Sequence, residues 1–147
     1  MTLLLSALYR LAVAFWVGGA SLFTFALTPI IFKRFARDQA GVIVGHLFPA
    51  YFRWGLACGA LALIARLLLK GKEGVAATVI LVAMLCVTSF QAFYIEPRAV
   101  ALKKEIASFE TTPKDHPARK AFGKLHGVSA VCNLAVIAGG VALVILP

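Results

Sequence analysis

Four long apolar stretches dominate the sequence and limit what the chain can fold into. They cover approximately residues 3–32, 48–69, 74–95 and 123–146. A hydrocarbon core of about 30 Å is crossed by roughly 20 helical residues, so each stretch is long enough to span a bilayer. Transmembrane β-strands are shorter and alternate polar with apolar residues, unlike these stretches. The sequence therefore predicts an all-α fold, a four-transmembrane-helix bundle that forms one integral membrane domain over residues 1–147.

The composition points to lipid as the surrounding medium. Apolar residues make up 61% of the chain and charged residues 14%, whereas about half and about a quarter are usual in soluble domains. A small water-soluble globule would have to expose much of this apolar surface. The first stretch has no Lys or Arg before it and is longer than the core of a signal peptide, so we expect it to remain in the mature protein.

The positions of the basic residues predict the orientation of the helices. Four spans put both termini on one side, and the connections on the other side carry ten basic residues against Lys70 and Lys72 opposite. The ten are Lys33, Arg34, Arg37, Arg98, Lys103, Lys104, Lys114, Arg119, Lys120 and Lys124. By the positive-inside rule, the first and third connections are cytoplasmic and both termini are outside.

The same distribution bears on localisation and partners. It is typical of a multi-pass protein of the bacterial inner membrane, with anionic lipid as a possible partner. The net charge of +9 is explained in this way, so nucleic acid is not an expected partner.

Three local patterns add detail to the bundle. Glycines four residues apart, a spacing that lets helices approach closely, occur at Gly41 and Gly45, at Gly55 and Gly59, and at Gly123 and Gly127. The segment Leu47-Phe48-Pro49 is expected to break the second helix. After the third span, the apolar residues Val100, Leu102, Ile106 and Phe109 have near-helical spacing and predict an amphipathic cytoplasmic extension. Asp115 or His116 is expected to cap the fourth helix, with Pro117 in its first turn.

Recognised enzyme motifs are absent from the sequence, which contains no phosphate-binding glycine loop, no HExxH and no nucleophile elbow. We therefore expect no catalytic residues and favour a non-enzymatic protein. Polar residues instead gather near the cytoplasmic ends of the spans. The candidates for ligand binding are Glu96, Arg98, His126, Asn133, Arg53 and Gln91. His126 is the best candidate for binding a metal ion or haem.

Three functional hypotheses follow from this cluster. In the first, a non-enzymatic membrane protein binds or moves a small ligand or ion through a polar pocket; a transporter of this size would be expected to form a homo-oligomer. The second is a haem-b-binding or redox membrane subunit that uses His126. The third is a structural or assembly subunit of a membrane complex, in which the polar residues only fix the helix register.

Three segments carry a resemblance to a known family. They are Leu47-Phe48-Pro49-Ala50-Tyr51-Phe52, Glu96-Pro97-Arg98, and Phe122 through His126-Gly127 to Ser129 and Cys132-Asn133-Leu134. Weaker support comes from Trp16-Val17-Gly18-Gly19 and Thr28-Pro29. In these segments the chain resembles the transmembrane protein 205-like family, a domain of unknown function.

The resemblance implies a four-span membrane protein and no established reaction. A eukaryotic branch of that family is associated with resistance to platinum drugs, which suggests transport or metal resistance, through metal or drug export or through vesicle traffic. A more distant similarity, to copper-resistance and haem-associated four-helix membrane proteins, is an analogy of fold only.

Overall fold

The structure, a computed structural model, describes residues 2–69 and 74–145 and consists there of helices and turns. Four long helices follow one another: α1 (Thr2–Arg34), α2 (Arg37–Leu68), α3 (Val75–Glu105) and α4 (Pro117–Ile145). All four are long and apolar enough to cross a membrane, which confirms the predicted all-α, four-span fold. The side of the membrane on which the termini lie stays a prediction, and Lys70 and Lys72 lie outside the described residues.

The helices form a ring in which each packs on its neighbours in sequence and α4 closes against α1. Their most apolar segments are only 22% to 28% buried inside the protein. Large apolar side chains such as Leu3, Phe93 and Val144 point outward, with exposures of 83%, 74% and 66%. Such an outer surface is stable in contact with lipid chains and not with water. The protein is therefore a multi-pass membrane protein in contact with the bilayer.

The indole ring of Trp16 occupies the middle of the helical core. It is 3% exposed and belongs to a cluster that includes Cys58, Leu81 and Met84. Two glycines of α2 make room for it: a β-carbon at Gly59 would lie 2.5 Å from the ring, and one at Gly55 would lie 2.9 Å from Nε1. The small residues of α2 therefore hold a large side chain of α1.

Both α1 and α3 contain a π-helical segment, Leu22–Leu27 in α1 and Gln91–Ile95 in α3. The backbone N–H of Thr28 donates to the carbonyl of Phe23, and that of Glu96 donates to the carbonyl of Gln91. These bonds connect residues five apart, which is the π-helical pattern.

A proline follows each π-helical segment after one intervening residue. A proline ring within a helix clashes with the carbonyl group four residues earlier. That carbonyl belongs to Phe25 for Pro29 and to Phe93 for Pro97, and both residues lie within the π-helical segments. The widened turn relieves this clash. Each of these prolines thus lies one turn after a carbonyl of a π-helical segment, whereas Pro49 lies within α2 without such a segment.

The predicted break at Pro49 is wrong, and the predicted helical extension after the third span is present but shorter than expected. The helix α2 runs without a break through Pro49. The extension after the third span is the last part of α3 and ends at Glu105, because the backbone of Ile106 is extended, with φ −102° and ψ 107°. Ile106 and Phe109 therefore lie in the connection over residues 106–116. At the end of this connection, Nδ1 of His116 accepts a hydrogen bond from the N–H of Ala118 at 3.3 Å, which confirms His116 as the cap of α4.

Candidate functional site

A layer of polar side chains crosses the bundle at the level of the two π-helical segments. We call it the polar layer, and it consists of Thr24, Tyr51, Thr88, Gln91, Ser129 and Asn133. All four helices contribute to it. Thr24 and Gln91 lie within the π-helical segments themselves.

Asn133 lies at the centre of the polar layer and connects three helices. The hydroxyl of Tyr51 on α2 donates to Oδ1 of Asn133 on α4, and Nδ2 of Asn133 donates to Oγ1 of Thr24 on α1. The ring of Tyr51 also stacks on Phe23, with centroids 4.6 Å apart. Each hydrogen bond between membrane helices contributes about 0.6 kcal/mol on average and at most about 1.7 kcal/mol. This pair therefore fixes how α1, α2 and α4 are rotated against one another.

Gln91 connects α3 to α4 in the same layer. It is 2% exposed, and its Nε2 donates to the carbonyl and to Oγ of Ser129 at 3.0 and 3.2 Å. Thr88, one turn earlier, is 4% exposed, and its Oγ1 makes no hydrogen bond with the residues that the structure describes. The side chains of Gln91 and Asn133 are thus engaged in holding helices together.

The other four predicted ligand-binding residues lie apart from the polar layer. Glu96 is half-buried, and Lys103 attracts it electrostatically. Arg98 is exposed, with its guanidinium 3.7 Å from the ring centroid of Tyr94. Arg53 is also exposed. The structure brings Gln91 and Asn133 to one level of the bundle and leaves these polar groups nearer its surface.

His126, the predicted metal or haem ligand, is exposed on α4. Its ring is nearly parallel to that of Phe122, with an interplanar angle of 6° and centroids 6.2 Å apart. Nδ1 of His46 on α2 donates a hydrogen bond to the carbonyl oxygen of Val42 at 2.8 Å, because a carbonyl can only accept. Within residues 2–69 and 74–145, no three His, Cys, Asp or Glu side chains come together as metal ligands would.

The side chain of Lys103 reaches from α3 to α2 at one end of the bundle. At this end, α1 and α3 have their last residues and α2 and α4 their first. We call this the basic end. The Nζ of Lys103 donates to the carbonyl of Gly41 at 2.6 Å. A β-carbon at Gly45 would lie 3.3 Å from the same nitrogen. The glycine pair Gly41 and Gly45, which the sequence suggested for close helix packing, therefore makes room for the ammonium group of Lys103.

A carboxylate at the start of α2 holds the connection over residues 106–116. The hydroxyl of Ser108 donates to one oxygen of Asp38 at 2.5 Å, and the backbone N–H of Phe109 donates to the other at 2.6 Å. The same Ser108 Oγ accepts hydrogen bonds from the backbone N–H groups of Glu110 and Thr111. One carboxylate thus orders a tight turn against α2.

Next to this turn lies a cavity of about 500 Å³, which we call the basic cleft. Its polar lining consists of Arg37, Glu110, Thr111, Thr112, Lys114 and Arg119. Three cationic side chains and one acidic side chain give it a formal charge of +2. Arg119 donates to the carbonyl of Thr112 and lies 5.8 Å from the ring centroid of Phe109. The cleft is open to solvent along much of its surface, and its positive formal charge favours an anion over a cation.

Sequence patterns did not single out the basic cleft as a site. Arg37, Lys114 and Arg119 entered the analysis only as part of the basic bias that predicts orientation. The sequence feature that could have predicted the cleft is the placement of the first and third connections on one side of the membrane, because their cationic residues must then lie at the same end of the bundle.

The chain is similar to a known protein family and to a bacterial protein. Residues 11–108 match a family described as a domain of unknown function, DUF4149. An uncharacterized protein of Aquifex aeolicus (strain VF5) is 30% identical over 124 residues, covering 84% of this chain and 82% of that protein. No solved structure has significant similarity to the chain. The resemblance to the transmembrane protein 205-like family stays a prediction. The match over α2, α3 and most of α1 shows that the chain belongs to the DUF4149 family.

Proposed function

We propose that this protein is a non-enzymatic membrane protein that binds a small anionic ligand in the basic cleft. One observation carries the proposal: Arg37 and Lys114 line the cleft without a hydrogen bond or ion pair from any described residue. Uncompensated cations that face a shared cavity favour an anionic occupant. The ligand-binding hypothesis is therefore retained, and its site moves from the six residues expected from the sequence to the basic cleft.

The proposal includes the orientation and the location of the protein. The basic end carries the first and third connections, so the positive-inside rule puts it in the cytoplasm and puts both termini outside. A relative from a bacterium supports the bacterial inner membrane as the location. The ligand would then reach the cleft from the cytoplasm or from the inner leaflet.

Thermal unfolding of the detergent-purified chain tests anion binding. We expect sulfate, phosphate and citrate, added at constant ionic strength against chloride, to raise the midpoint of unfolding by a saturable amount. A ligand at a hundred times its Kd stabilises the folded state by about 2.7 kcal/mol. If no multivalent anion shifts the midpoint beyond the chloride control, the proposal is wrong.

The structural or assembly hypothesis is favoured by a different observation, the hydrogen bonds of Asn133 to both Tyr51 and Thr24. If the polar layer only holds the bundle, Asn133→Ala lowers the free energy of unfolding by about 1–2 kcal/mol, from two interhelical hydrogen bonds, and leaves anion affinity unchanged. Cys132→Ala, on the same helix, is the control. Loss of anion binding in Asn133→Ala with unchanged stability would instead place a ligand in the polar layer.

The haem hypothesis is tested on the same preparation. A haem bound through His126 gives purified protein a Soret absorption band that His126→Ala removes. A colourless preparation from haem-replete cells would reject that hypothesis and leave anion binding unaffected.

A further inference from the structure

We propose that the anionic group bound in the basic cleft is the phosphate of a phosphate ester. This proposal rests on the anion-binding function proposed above and names the chemical class of the ligand. Four properties of the cleft carry it: its donors, its charge, its volume and the order of its walls.

The donors of the basic cleft match a tetrahedral oxyanion. A guanidinium presents five N–H donors in a planar fork that binds two oxygens of one phosphate. Arg37 has all of its donors available among the described residues, and Arg119 uses Nη1 for the carbonyl of Thr112. Thr111 and Thr112 belong to the same lining. Phosphate, with its several oxygens, uses donors that converge from different sides.

The charge of the cleft favours phosphate over a single carboxylate. A phosphate monoester carries about −1.5 to −2 at pH 7, which balances the formal +2 of the lining. A monocarboxylate would balance less of the formal charge of the lining, part of which Asp38 already offsets through its attraction to Arg119. The volume of about 500 Å³ falls within the range of small-molecule sites, roughly 300–1,000 Å³. The cleft thus has room for the organic group that the phosphate carries.

The walls of the cleft are ordered by the protein itself. Asp38 accepts hydrogen bonds from Ser108 and Phe109, and Arg119 binds the carbonyl of Thr112. These contacts fix the connection over residues 106–116 on α2 and α4. Of the cationic donors, Arg119 is the one held in this way, and a donor that is already ordered loses less entropy when a ligand binds.

Two sources can supply this chemistry, a phospholipid headgroup of the inner leaflet and a soluble phosphate ester. The side chains that adjoin the cleft suit the lipid source, whose phosphodiester carries one negative charge, whereas the formal charge of the lining suits a soluble monoester. Arg37 begins α2 directly after the end of α1, where Phe32 and Phe35 are 45% and 48% exposed and Lys33 and Arg34 are also exposed. Apolar rings beside cations suit the border between acyl chains and headgroups.

The experiment measures binding to the full-length protein by calorimetry and by thermal unfolding. Inorganic phosphate and glycerol 3-phosphate are the soluble probes, and acetate and succinate at the same ionic strength are the carboxylate controls. Nanodiscs of phosphatidylglycerol and of phosphatidylcholine supply the lipid arm. We expect phosphate and glycerol 3-phosphate to bind and acetate not to bind. Tighter binding of glycerol 3-phosphate in phosphatidylcholine than in phosphatidylglycerol, at an ionic strength that screens the surface charge of the bilayer, would show that the anionic lipid competes for the cleft.

The variants locate the site. Arg37→Gln should weaken glycerol 3-phosphate binding by about tenfold or more, as expected when a hydrogen bond to a charged group is lost. Arg37→Lys keeps the charge but loses the planar fork and should bind with intermediate affinity. Lys104→Gln, an exposed lysine outside the cleft, is the control. Because Arg119 also holds the connection, Arg37 is the safer residue to change.

Each result supports or overturns the inference. Binding of citrate or sulfate without binding of phosphate would overturn it and leave the proposed anion-binding function intact. Phosphate binding that is equal in Arg37→Gln, Lys114→Gln and the wild type would also overturn it, because the site would lie elsewhere. Equal glycerol 3-phosphate affinity in both kinds of nanodisc would assign the cleft to soluble phosphate esters.

Discussion

Three glycine pairs with the same spacing have three different surroundings in this protein. Gly55 and Gly59 accommodate the ring of Trp16, and a β-carbon at Gly41 or Gly45 would contact the side chain of Lys103. The third pair, Gly123 and Gly127, has nothing within 4 Å of where a β-carbon would lie. Identical spacing therefore leads to opposite expectations for the same substitution.

Gly59→Ala should destabilise the bundle. The added methyl group would lie 2.5 Å from Trp16 and 2.6 Å from Leu85, so one of these side chains must move within a packed core. Overpacking of this kind typically costs about 1–3 kcal/mol. Gly123→Ala is the matched control, because it adds the same methyl group in open space and improves helix propensity. Equal unfolding midpoints for the two variants in detergent would contradict the predicted role of Gly59.

At the scale of elements, the connection over residues 106–116 depends on a contact with a distant helix. Asp38 precedes Ser108 by 70 positions in the chain, yet its carboxylate binds Ser108 and Phe109. The connection buries Ile106, and the half-buried ring of Phe109 lies 5.0 Å from that of Phe122 on α4. Its order therefore depends on these apolar contacts together with the carboxylate of Asp38 and Arg119.

Asp38→Ala should loosen this connection without unfolding the bundle. The N–H of Phe109 and the hydroxyl of Ser108 lose their acceptor, so hydrogen exchange at residues 108–112 should become faster and trypsin should cleave sooner after Lys114. Anion affinity should fall as well, because the wall of the basic cleft is less ordered. Asp115→Ala, an exposed acid in the same connection, should change none of these. Unchanged exchange in Asp38→Ala would show that the connection is held by other contacts.

The four helices could be predicted from the sequence, but their rotation and pairing within the bundle could not. Span length and hydropathy are local properties, so the four helices could be read from the sequence directly. Gln91 and Asn133 could also be identified as polar residues within apolar spans. Their partners Thr24 and Ser129 could not be assigned, because pairing depends on how each helix is rotated. The basic cleft combines Arg37 with residues 109–119, and only the packing of α2 against the third connection brings them together.

At the scale of the whole molecule, the orientation in the membrane can be tested by labelling. In a variant without its three native cysteines, we expect a cysteine at position 110 to react with an impermeant maleimide only after the cells are permeabilised. A cysteine at position 2, at the opposite end of α1, should react in intact spheroplasts. The reverse pattern would contradict the predicted orientation and would put the basic cleft on the outer face.

The π-helical segments also determine how the surface of each helix must be mapped. One residue of an α-helix corresponds to a turn of about 100°, and a π-helical segment absorbs one extra residue. A helical wheel drawn with uniform steps through Leu22–Leu27 or Gln91–Ile95 therefore misassigns every position beyond it by that angle. Conversely, a homologue that lacks one residue in either segment can form a regular α-helix there and still present the same helix faces to its neighbours on both sides. A one-residue gap in an alignment at these points therefore indicates the loss of the π-helical segment and not a shift of the helix.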